Sequence, residues 1–272
     1  MNIDTIITFI KQYHTIENPY SHFLPIKENV LRSSLKEALM KPYKALYADQ
    51  HSQCFTLIHI EKELHRIDIA GPVFDEKSID IARGMLKDIQ TDNPNMALYF
   101  FFPIQNTLIK TLLESVSAQR NDDEFILQLK RSNYRFNPLN HLKIIPKKDH
   151  QKLWDFHEEI FGETYLTPKH FFNDTSRHLY GYYTEGKLIG YGVIKDQSST
   201  KRILEVLAIN PQYRGFGHGK TLLKELTELG FKNQTIEILE LVVESQNENA
   251  LTLYKSVGFD IISHSLSYVI NS

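Results

Sequence analysis

The sequence contains a long internal repeat. The segment FFPIQNTLIKTLLESV at 101–116 matches VVESQNENALTLYKSV at 242–257, at a constant offset of 141 residues. Upstream, RIDIAGP at 66–72 matches VLAINP at 206–211, and both segments end in proline. A repeat of this length is that of a whole domain, since the units of a solenoid recur every 20 to roughly 50 residues. We therefore predict that the two halves of the chain share one fold.

The length of the chain agrees with two domains. At roughly 150 residues per domain, 272 residues correspond to about two. The stretch RSNYRFNPLNH at 131–141 has little periodicity and contains Pro138, so we interpret it as the linker. The predicted boundary separates domains 1–135 and 136–272.

Composition excludes several classes of protein. Hydrophobic residues make up 42% of the chain and charged residues 24%, which argues against wholesale disorder. The formal charge of -2 provides no overall basic field for nucleic acid. The longest apolar stretch, 96–104, is too short to span a membrane. Cys54 is the single cysteine, so no internal disulfide is possible. The first residues lack the features of a signal peptide, and we expect a cytoplasmic protein.

Apolar spacing and turn residues predict a similar order of elements in each half. In the first half we predict helices at 2–13, 28–40, 76–90 and 106–118, with strands at 43–49, 54–61, 63–70, 97–102 and 124–130. In the second half we predict strands at 142–145, 178–184, 187–195, 202–209, 236–243, 259–264 and 266–270, with helices at 150–161, 168–173, 249–257 and after the glycine-rich turn.

The segment NPQYRGFGHGKTLL at 210–223 follows a strand and opens a helix. A Walker loop requires glycine at 214 and a dinucleotide fingerprint requires glycine at 220, but the chain has Arg214 and Lys220 there. The pattern Arg/Gln-x-x-Gly-x-Gly/Ala is satisfied in full by Arg214, Gly217 and Gly219. These spacings argue against a nucleotide-hydrolysing protein.

This loop is suited to a pyrophosphate. Glycines allow successive backbone amides to approach one anion, and the helix N-terminus also favours negative charge. Arg214 and Lys220 add positive charge nearby. The alternative is a glycine-rich turn that only packs a strand against a helix.

The second half resembles a GCN5-related N-acetyltransferase over 140–272. The resemblance lies in LAINPQYRGFGHG at 207–219 and in NENALTLYKSVGF at 247–259. The second segment matches the family pattern at each fixed position: Asn247, Ala250, Leu253, Tyr254, Gly258 and Phe259.

The resemblance implies an α/β fold of the α+β kind, with two such domains, each a mixed, mostly antiparallel sheet flanked by helices. It also implies acetyl-coenzyme A as co-substrate and no metal. The residues implied in binding it are Leu207, Ile209, Arg214, Gly215, Phe216, Gly217, His218, Gly219, Lys220 and Asn247. Backbone groups of Leu207 and Ile209 would pair with the pantetheine arm as an added strand does.

Tyr254 aligns with a tyrosine that lies near the thioester sulfur in such enzymes. Its phenol could donate a proton to the leaving thiolate, or it could be a core residue. Asn247 could contact the co-substrate, cap its helix, or do both. Glu205 is expected on the same strand face as Leu207 and Ile209, where it could deprotonate the amine or simply face solvent.

Other side chains in the second half have less defined roles. We expect the His218 side chain to point into solvent. A group of aromatic residues and one histidine could shape the acceptor pocket or form core: Trp154, His157, Phe161, Tyr165, Phe171 and Phe172. No H-x-x-x-H pair of a zinc helix occurs there, so we infer no metal.

The first half lacks the features that would bind the co-substrate. Its counterpart of the glycine loop, VFDEKSID at 73–80, has no glycine and has Asp75 and Glu76, which would repel a pyrophosphate. Leu113 stands where the second half has Tyr254. We therefore interpret 1–135 as a degenerate acetyltransferase-like domain. The alternative is an unrelated α/β domain.

The leading hypothesis is direct transfer of an acetyl group to an amine in a ternary complex. No nucleophile is marked for a covalent intermediate, since Cys54 lies in the other half. The acceptor would be a small-molecule or peptide amine, with neither nucleic acid nor membrane as partner, and the chain could form a homodimer. The alternative is a non-catalytic coenzyme A-binding, sensor or scaffold protein.

Overall fold

A computed structural model describes residues 3–22, 24–51, 53–135, 141–162 and 168–271 of the protein, except the side chains of 147 and 168–170. The chain forms two compact units. Unit 1 consists of Met1–Glu124 and His264–Ser272, and unit 2 of Phe125–Ser263. The division therefore differs from the expected one at 135/136, because 125–135 belong to unit 2 and the C-terminal residues return to unit 1.

The elements follow one another in the predicted order. Unit 1 provides α1 (Ile3–Tyr13), α2 (Glu28–Ala38), β1 (Lys44–Ala48), β2 (Cys54–Glu61), β3 (Arg66–Phe74), α3 (Ile79–Asp92), β4 (Ala97–Pro103), α4 (Thr107–Ser115) and β5 (Gln119–Arg120). Then come β6 (Glu124–Lys130), β7 (Leu142–Ile144), α5 (His150–Phe161), α6 (Pro168–Asn173), β8 (Arg177–Thr184), β9 (Lys187–Asp196), β10 (Lys201–Ile209), α7 (His218–Gly230), β11 (Ile238–Glu244), α8 (Glu248–Lys255) and β12 (Asp260–Ile270).

Three predicted boundaries are wrong. The two C-terminal strands are one continuous strand, β12. The strand expected at 63–70 runs instead from Arg66 to Phe74, because Lys62–Leu64 forms a 3₁₀ turn. The expected linker begins with a second such turn, Arg131–Asn133, while 136–140 lie outside the described residues. Within the described ranges, no helix is long and apolar enough to cross a membrane.

The sheet of unit 1 has the order β1-β2-β3-β4-β12. Its strands are antiparallel, except that β3 runs parallel to β4 from Arg66 to Ile69. Helices α1, α2, α3 and α4 contribute buried apolar side chains to one continuous core with this sheet. This core explains the apolar periodicity that the sequence showed in 1–124.

The sheet of unit 2 has the order β6-β11-β10-β9-β8-β7. Strands β7 to β10 are antiparallel, whereas β10 and β11 are parallel and pair only at Lys201–Ile203 and Ile238–Glu240. Beyond these residues the two strands are not paired. Helix α7 covers one face of the sheet and α5 the other, each over its own buried core. The predicted fold class, a mixed sheet flanked by helices, is confirmed.

The repeat has a structural counterpart in the turn between β4 and α4 and in that between β11 and α8. Asn106 Oδ1 accepts a hydrogen bond from Ile109 N at 3.1 Å, and Asn247 Oδ1 accepts one from Ala250 N at 3.0 Å. The backbone amide that follows each helix bonds to Leu113 O in unit 1 and to Tyr254 O in unit 2. The local backbone is thus the same 141 residues apart.

Candidate functional site

The gap between β10 and β11 exposes backbone groups of β10. Asn210 N donates to Ile189 O at 2.9 Å, and the register continues regularly from there back to Val206. Antiparallel strands exchange hydrogen bonds at alternate residues, so 206, 208 and 210 bond to β9. The N–H and C=O groups of Leu207 and Ile209 therefore point away from β9, toward the open side. An extended ligand can pair with them there.

The glycine loop ends this strand and begins α7. Gly217 is the N-cap of α7 with φ +83°, and Gly215 has φ +85°. Backbone at such positive φ favours glycine. A Cβ atom added at either position would have no atom within 4 Å, so the loop borders open space. In the described chain, the five successive amides from Gly215 to Gly219 have no acceptor.

Two cations accompany these amides. Arg214 is anchored by its Nε, which donates to Ile209 O at 2.9 Å, and its Nη groups have no partner among the described residues. Lys220 is exposed in the first turn of α7. Phe216 is 76% exposed at the tip of the loop. Free amides, a helix N-terminus and two cations are the chemistry that binds a diphosphate, so the residues present fit that part of coenzyme A.

Asn247 is a helix cap. Its Oδ1 is occupied by the amide of Ala250, while its Nδ2 has no partner in the described chain. Capping accounts for asparagine at this position by itself, because Asn is among the best N-cap residues. A contact of Nδ2 with the co-substrate remains a prediction.

Tyr254 lies in the last turn of α8 and is half-buried. Its ring meets that of Phe259 edge-on, with centroids 6.1 Å apart, and its carbonyl accepts from the amides of Val257 and Phe259. Within the described chain the hydroxyl has no hydrogen-bond partner. Burial raises the pKa of the phenol to about 12. The side chain is therefore a fixed, protonated donor at neutral pH.

Glu205 is held by cations. Its Oε2 lies 2.6 Å from Arg177 Nε, its Oε1 lies 3.0 Å from Arg177 Nη2, and Lys195 Nζ is 3.4 Å from Oε1. The carboxylate side chain is only 10% exposed. Arg177 also bonds to Asp174. Because both oxygens already accept charged hydrogen bonds, taking a proton would break this bidentate pair.

The expected orientation of Glu205 is wrong. The register of β10 against β9 shifts between Leu204 and Val206, which makes Glu205 the extra residue of a β-bulge. Leu204 and Ile209 both pack under α7, although they are five residues apart, so the alternation of faces is interrupted between them. Val206 packs on the α5 face, as do the two cationic partners of Glu205 by register. The carboxylate thus lies opposite Leu207 and Ile209.

The expectation for His218 is also wrong. Its ring is half-buried, with Nδ1 3.4 Å from the hydroxyl of Tyr182, a residue that is 4% exposed. Tyr182 and Arg177 were missed by sequence reasoning. Neither belongs to a motif, and each meets its partner from a strand distant along the chain. The only signal for Tyr182 is its cross-strand neighbour Gly190, a small residue opposite a large one.

The aromatic residues proposed for the acceptor pocket fall into two groups. His157 is buried, with Nδ1 2.5 Å from the hydroxyl of Tyr191, and Phe171 is buried beside them. These are core residues. The partly exposed members, which remain candidates for the pocket, are Trp154, Phe161 and Phe172. Tyr165 lies outside the described residues.

Unit 1 has a different segment where unit 2 has its glycine loop. Asp75 Oδ1 accepts from Ser78 Oγ at 2.7 Å, and a 3₁₀ turn, Glu76–Ser78, leads into α3. A cleft of about 490 Å³ opens there, lined by Asp75, Glu76 and the turn before α4. Leu113, the counterpart of Tyr254, is fully buried. The carboxylates disfavour a diphosphate in this cleft.

Fold and site together define an acyltransferase of the coenzyme A-dependent kind, and comparison with known proteins agrees. The model of the acetyltransferase (GNAT) family matches residues 147–259. The chain is 30% identical over 122 residues, 42% of its own length, to the N-alpha-acetyltransferase RimI of Mycobacterium tuberculosis, of which it covers 75%. It is also 39% identical over 82 residues to an uncharacterized protein of Mycobacterium leprae, covering 29% of this chain and 22% of that one. The chain belongs to the GNAT acetyltransferase family.

Solved structures share the fold across nearly the whole chain. A tandem GNAT protein from the clavulanic acid biosynthesis pathway has a TM-score of 0.69 at 11% identity, covering 99% of this chain and 95% of that one. A GCN5-related N-acetyltransferase from Sphaerobacter thermophilus has a TM-score of 0.67 at 14% identity, with coverages of 90% and 85%. The family and the RimI relative make this protein an N-acetyltransferase, and GNAT enzymes use acetyl-coenzyme A as co-substrate.

Proposed function

We propose that unit 2 transfers the acetyl group of acetyl-coenzyme A directly to a primary amine within a ternary complex. The observation that carries the proposal is the row of five unbonded amides from Gly215 to Gly219, in the same unit as an unbonded, protonated Tyr254. A scaffold would need neither. The non-catalytic alternative predicts binding of coenzyme A without product.

The co-substrate would lie along β10. Its diphosphate would accept hydrogen bonds from the loop amides, with Arg214 and Lys220 beside it. Its pantetheine arm would pair with the outward backbone N–H and C=O groups of Leu207 and Ile209, as a strand joins a sheet edge. The carbonyl of Ile209 is shared with Arg214 Nε, which links the diphosphate subsite to the arm.

The acceptor nitrogen would attack the thioester carbon. The C–N bond forms, the C–S bond breaks, the nitrogen loses a proton and the sulfur leaves as a thiolate that is finally protonated. Tyr254 would stabilise this thiolate chiefly by donating a hydrogen bond. A phenol whose pKa burial raises to about 12 is a weaker acid than a thiol, which ordinarily ionises near pH 8.5.

The proton lost by the amine would go to water. We had considered Glu205 as the base, but its two oxygens are engaged by Arg177 and Lys195. We propose instead that Glu205 is a positioning residue that fixes the bulge of β10. An acceptor that enters as the neutral amine then needs no protein base, and the rate follows the fraction of neutral amine.

For the acceptor, we propose the α-amino group of a peptide as the first class to test. The support is the similarity to the relative named N-alpha-acetyltransferase. Small-molecule amines form the second class. Unit 1 we propose as a degenerate domain of the same fold, whose acidic cleft binds no acetyl-coenzyme A.

The test is product formation from acetyl-coenzyme A with short peptides that have free N-termini, the same peptides N-terminally blocked, and a panel of small amines. Mass spectrometry identifies the product, and release of free thiol gives the rate. We expect acetylated product with at least one free amine and a reduced rate for Tyr254→Phe. Tyr180→Phe, on β8, is the matched control and should retain the rate. Binding of acetyl-coenzyme A without acetylation of any amine would favour the non-catalytic alternative.

A further inference from the structure

The first residue of α7 makes a side-chain contact that the loop itself does not require. His218 follows the N-cap Gly217, and its Nδ1 lies 3.4 Å from the hydroxyl of Tyr182 on β8. The two rings are tilted by 59°, with centroids 5.8 Å apart. The imidazole is therefore held against the sheet beside the five free amides.

Tyr182 is a firm anchor for this contact. It is 4% exposed, lies in register between Leu142 and Gly190, and belongs to the core under α7. Gly190 cannot take a side chain without displacing its neighbours, because a Cβ there would come within 2.5 Å of Ile209 Cδ1. The phenol thus has a close-packed position that a mobile surface tyrosine would lack.

The protonation of Tyr182 orients the imidazole. Burial raises the pKa of this phenol, so the hydroxyl keeps its proton at neutral pH and can donate it to Nδ1. A neutral histidine whose Nδ1 accepts has its own proton on Nε2. Among the described residues Nε2 has no partner. One N–H donor is then left over, on a fixed ring, at the N-terminus of α7.

We propose that His218 Nε2–H binds a phosphate oxygen of the co-substrate and that Tyr182 is the positioning residue that aims it. The inference rests on the proposed function. It adds a side-chain donor to the backbone amides and the two cations of the loop. A hydrogen bond to an anion is stronger than one between neutral groups, so its loss is measurable.

The experiment compares two ligands on the full-length protein by calorimetry. Acetyl-coenzyme A carries the phosphates, and S-acetylpantetheine lacks them. We expect His218→Ala to weaken acetyl-coenzyme A by about tenfold and to leave the Kd of S-acetylpantetheine unchanged. His218→Gln keeps an N–H donor and should recover most of the affinity. Tyr182→Phe should weaken acetyl-coenzyme A alone, by a smaller factor.

Each other outcome contradicts the inference in a recognisable way. Equal weakening of both ligands by His218→Ala would mean that the residue only supports the local fold. An unchanged Kd for acetyl-coenzyme A would mean that Nε2 does not touch phosphate. If the unaltered protein bound neither ligand, the proposed function would fail as well, whereas a change confined to the variants concerns this inference alone.

Discussion

Asn106 and Asn247 make the same capping hydrogen bond, 141 residues apart, in units of different chemistry. The bond is local, from a side-chain oxygen to an amide three residues on. It has persisted on both sides of the repeat, although Leu113 in unit 1 stands where unit 2 has Tyr254. The structural part of the repeat has thus been kept in a unit that lacks the counterparts of the site.

We expect the two caps to be separable from binding. Asn106→Ala and Asn247→Ala should each lower the free energy of unfolding by about 1 kcal/mol, the usual value of an N-cap. Only Asn247→Ala should weaken acetyl-coenzyme A, if its free Nδ2 touches the ligand. Urea unfolding and calorimetry measure the two effects. Equal Kd values for both variants would restrict Asn247 to capping.

Gly217→Val should abolish binding of acetyl-coenzyme A. The backbone there has φ +83°, which a β-branched residue rarely adopts, so the amides that follow would turn away from the ligand. Gly84→Ala is the matched control, because Gly84 has no neighbour within 4 Å of an added Cβ and lies on α3 of unit 1. Retained binding by Gly217→Val would remove the loop from the site.

Binding should show one acetyl-coenzyme A per chain. Unit 1 has a 3₁₀ turn with two carboxylates in place of the glycine loop, so Asp75→Ala should leave the stoichiometry and the Kd unchanged. Calorimetric titration gives both numbers. Two sites per chain would show that unit 1 is not degenerate.

Tyr254→Phe should lower turnover by roughly tenfold to 100-fold while the Kd of acetyl-coenzyme A stays the same. The hydroxyl matters when the sulfur becomes anionic, so its loss affects the transition state more than the bound ground state. Single-turnover rates isolate the chemical step. An unchanged chemical rate would reduce Tyr254 to a packing residue.

The same tyrosine should make stability fall at high pH. Its pKa is about 12 in the folded chain and near 10 in an unfolded one, so the unfolded state releases this proton first as the pH rises. Stability from this group is complete below about pH 10 and is lost between pH 10 and about 12. Unfolding curves of the unaltered protein and of Tyr254→Phe should diverge there. Parallel curves would contradict the raised pKa.

Glu205→Gln should destabilise the protein more than it alters the chemistry. The change leaves Arg177 without its bidentate partner and should cost roughly 1–3 kcal/mol. The residual activity should keep the pH profile of the unaltered enzyme, because in our proposal the amine loses its proton to water. Loss of the ascending limb of that profile, with normal stability, would restore Glu205 as the general base. Asp68→Asn, which leaves Arg66 of unit 1 without its carboxylate partner, is a comparison for stability alone.

The sequence by itself determined the features that depend on near neighbours in the chain. The glycine loop needs Gly217 at a positive φ directly before a helix, and the caps need Asn106 and Asn247 three residues from their donors. The order of elements also followed, since apolar periodicity reports which face of each element is buried. Such signals are complete within a few residues.

Only the tertiary structure decided the features that depend on distant partners. Glu205 changed face because a bulge interrupts the alternation on which the prediction relied, and its cation Arg177 comes from a strand 28 residues earlier. Tyr182 meets His218 across 36 residues. The C-terminal residues joined unit 1 because β12 pairs with β4 there. Which strand pairs with which, and in what register, depends on hydrogen bonds and burial between segments far apart in the chain, and local sequence does not encode that choice.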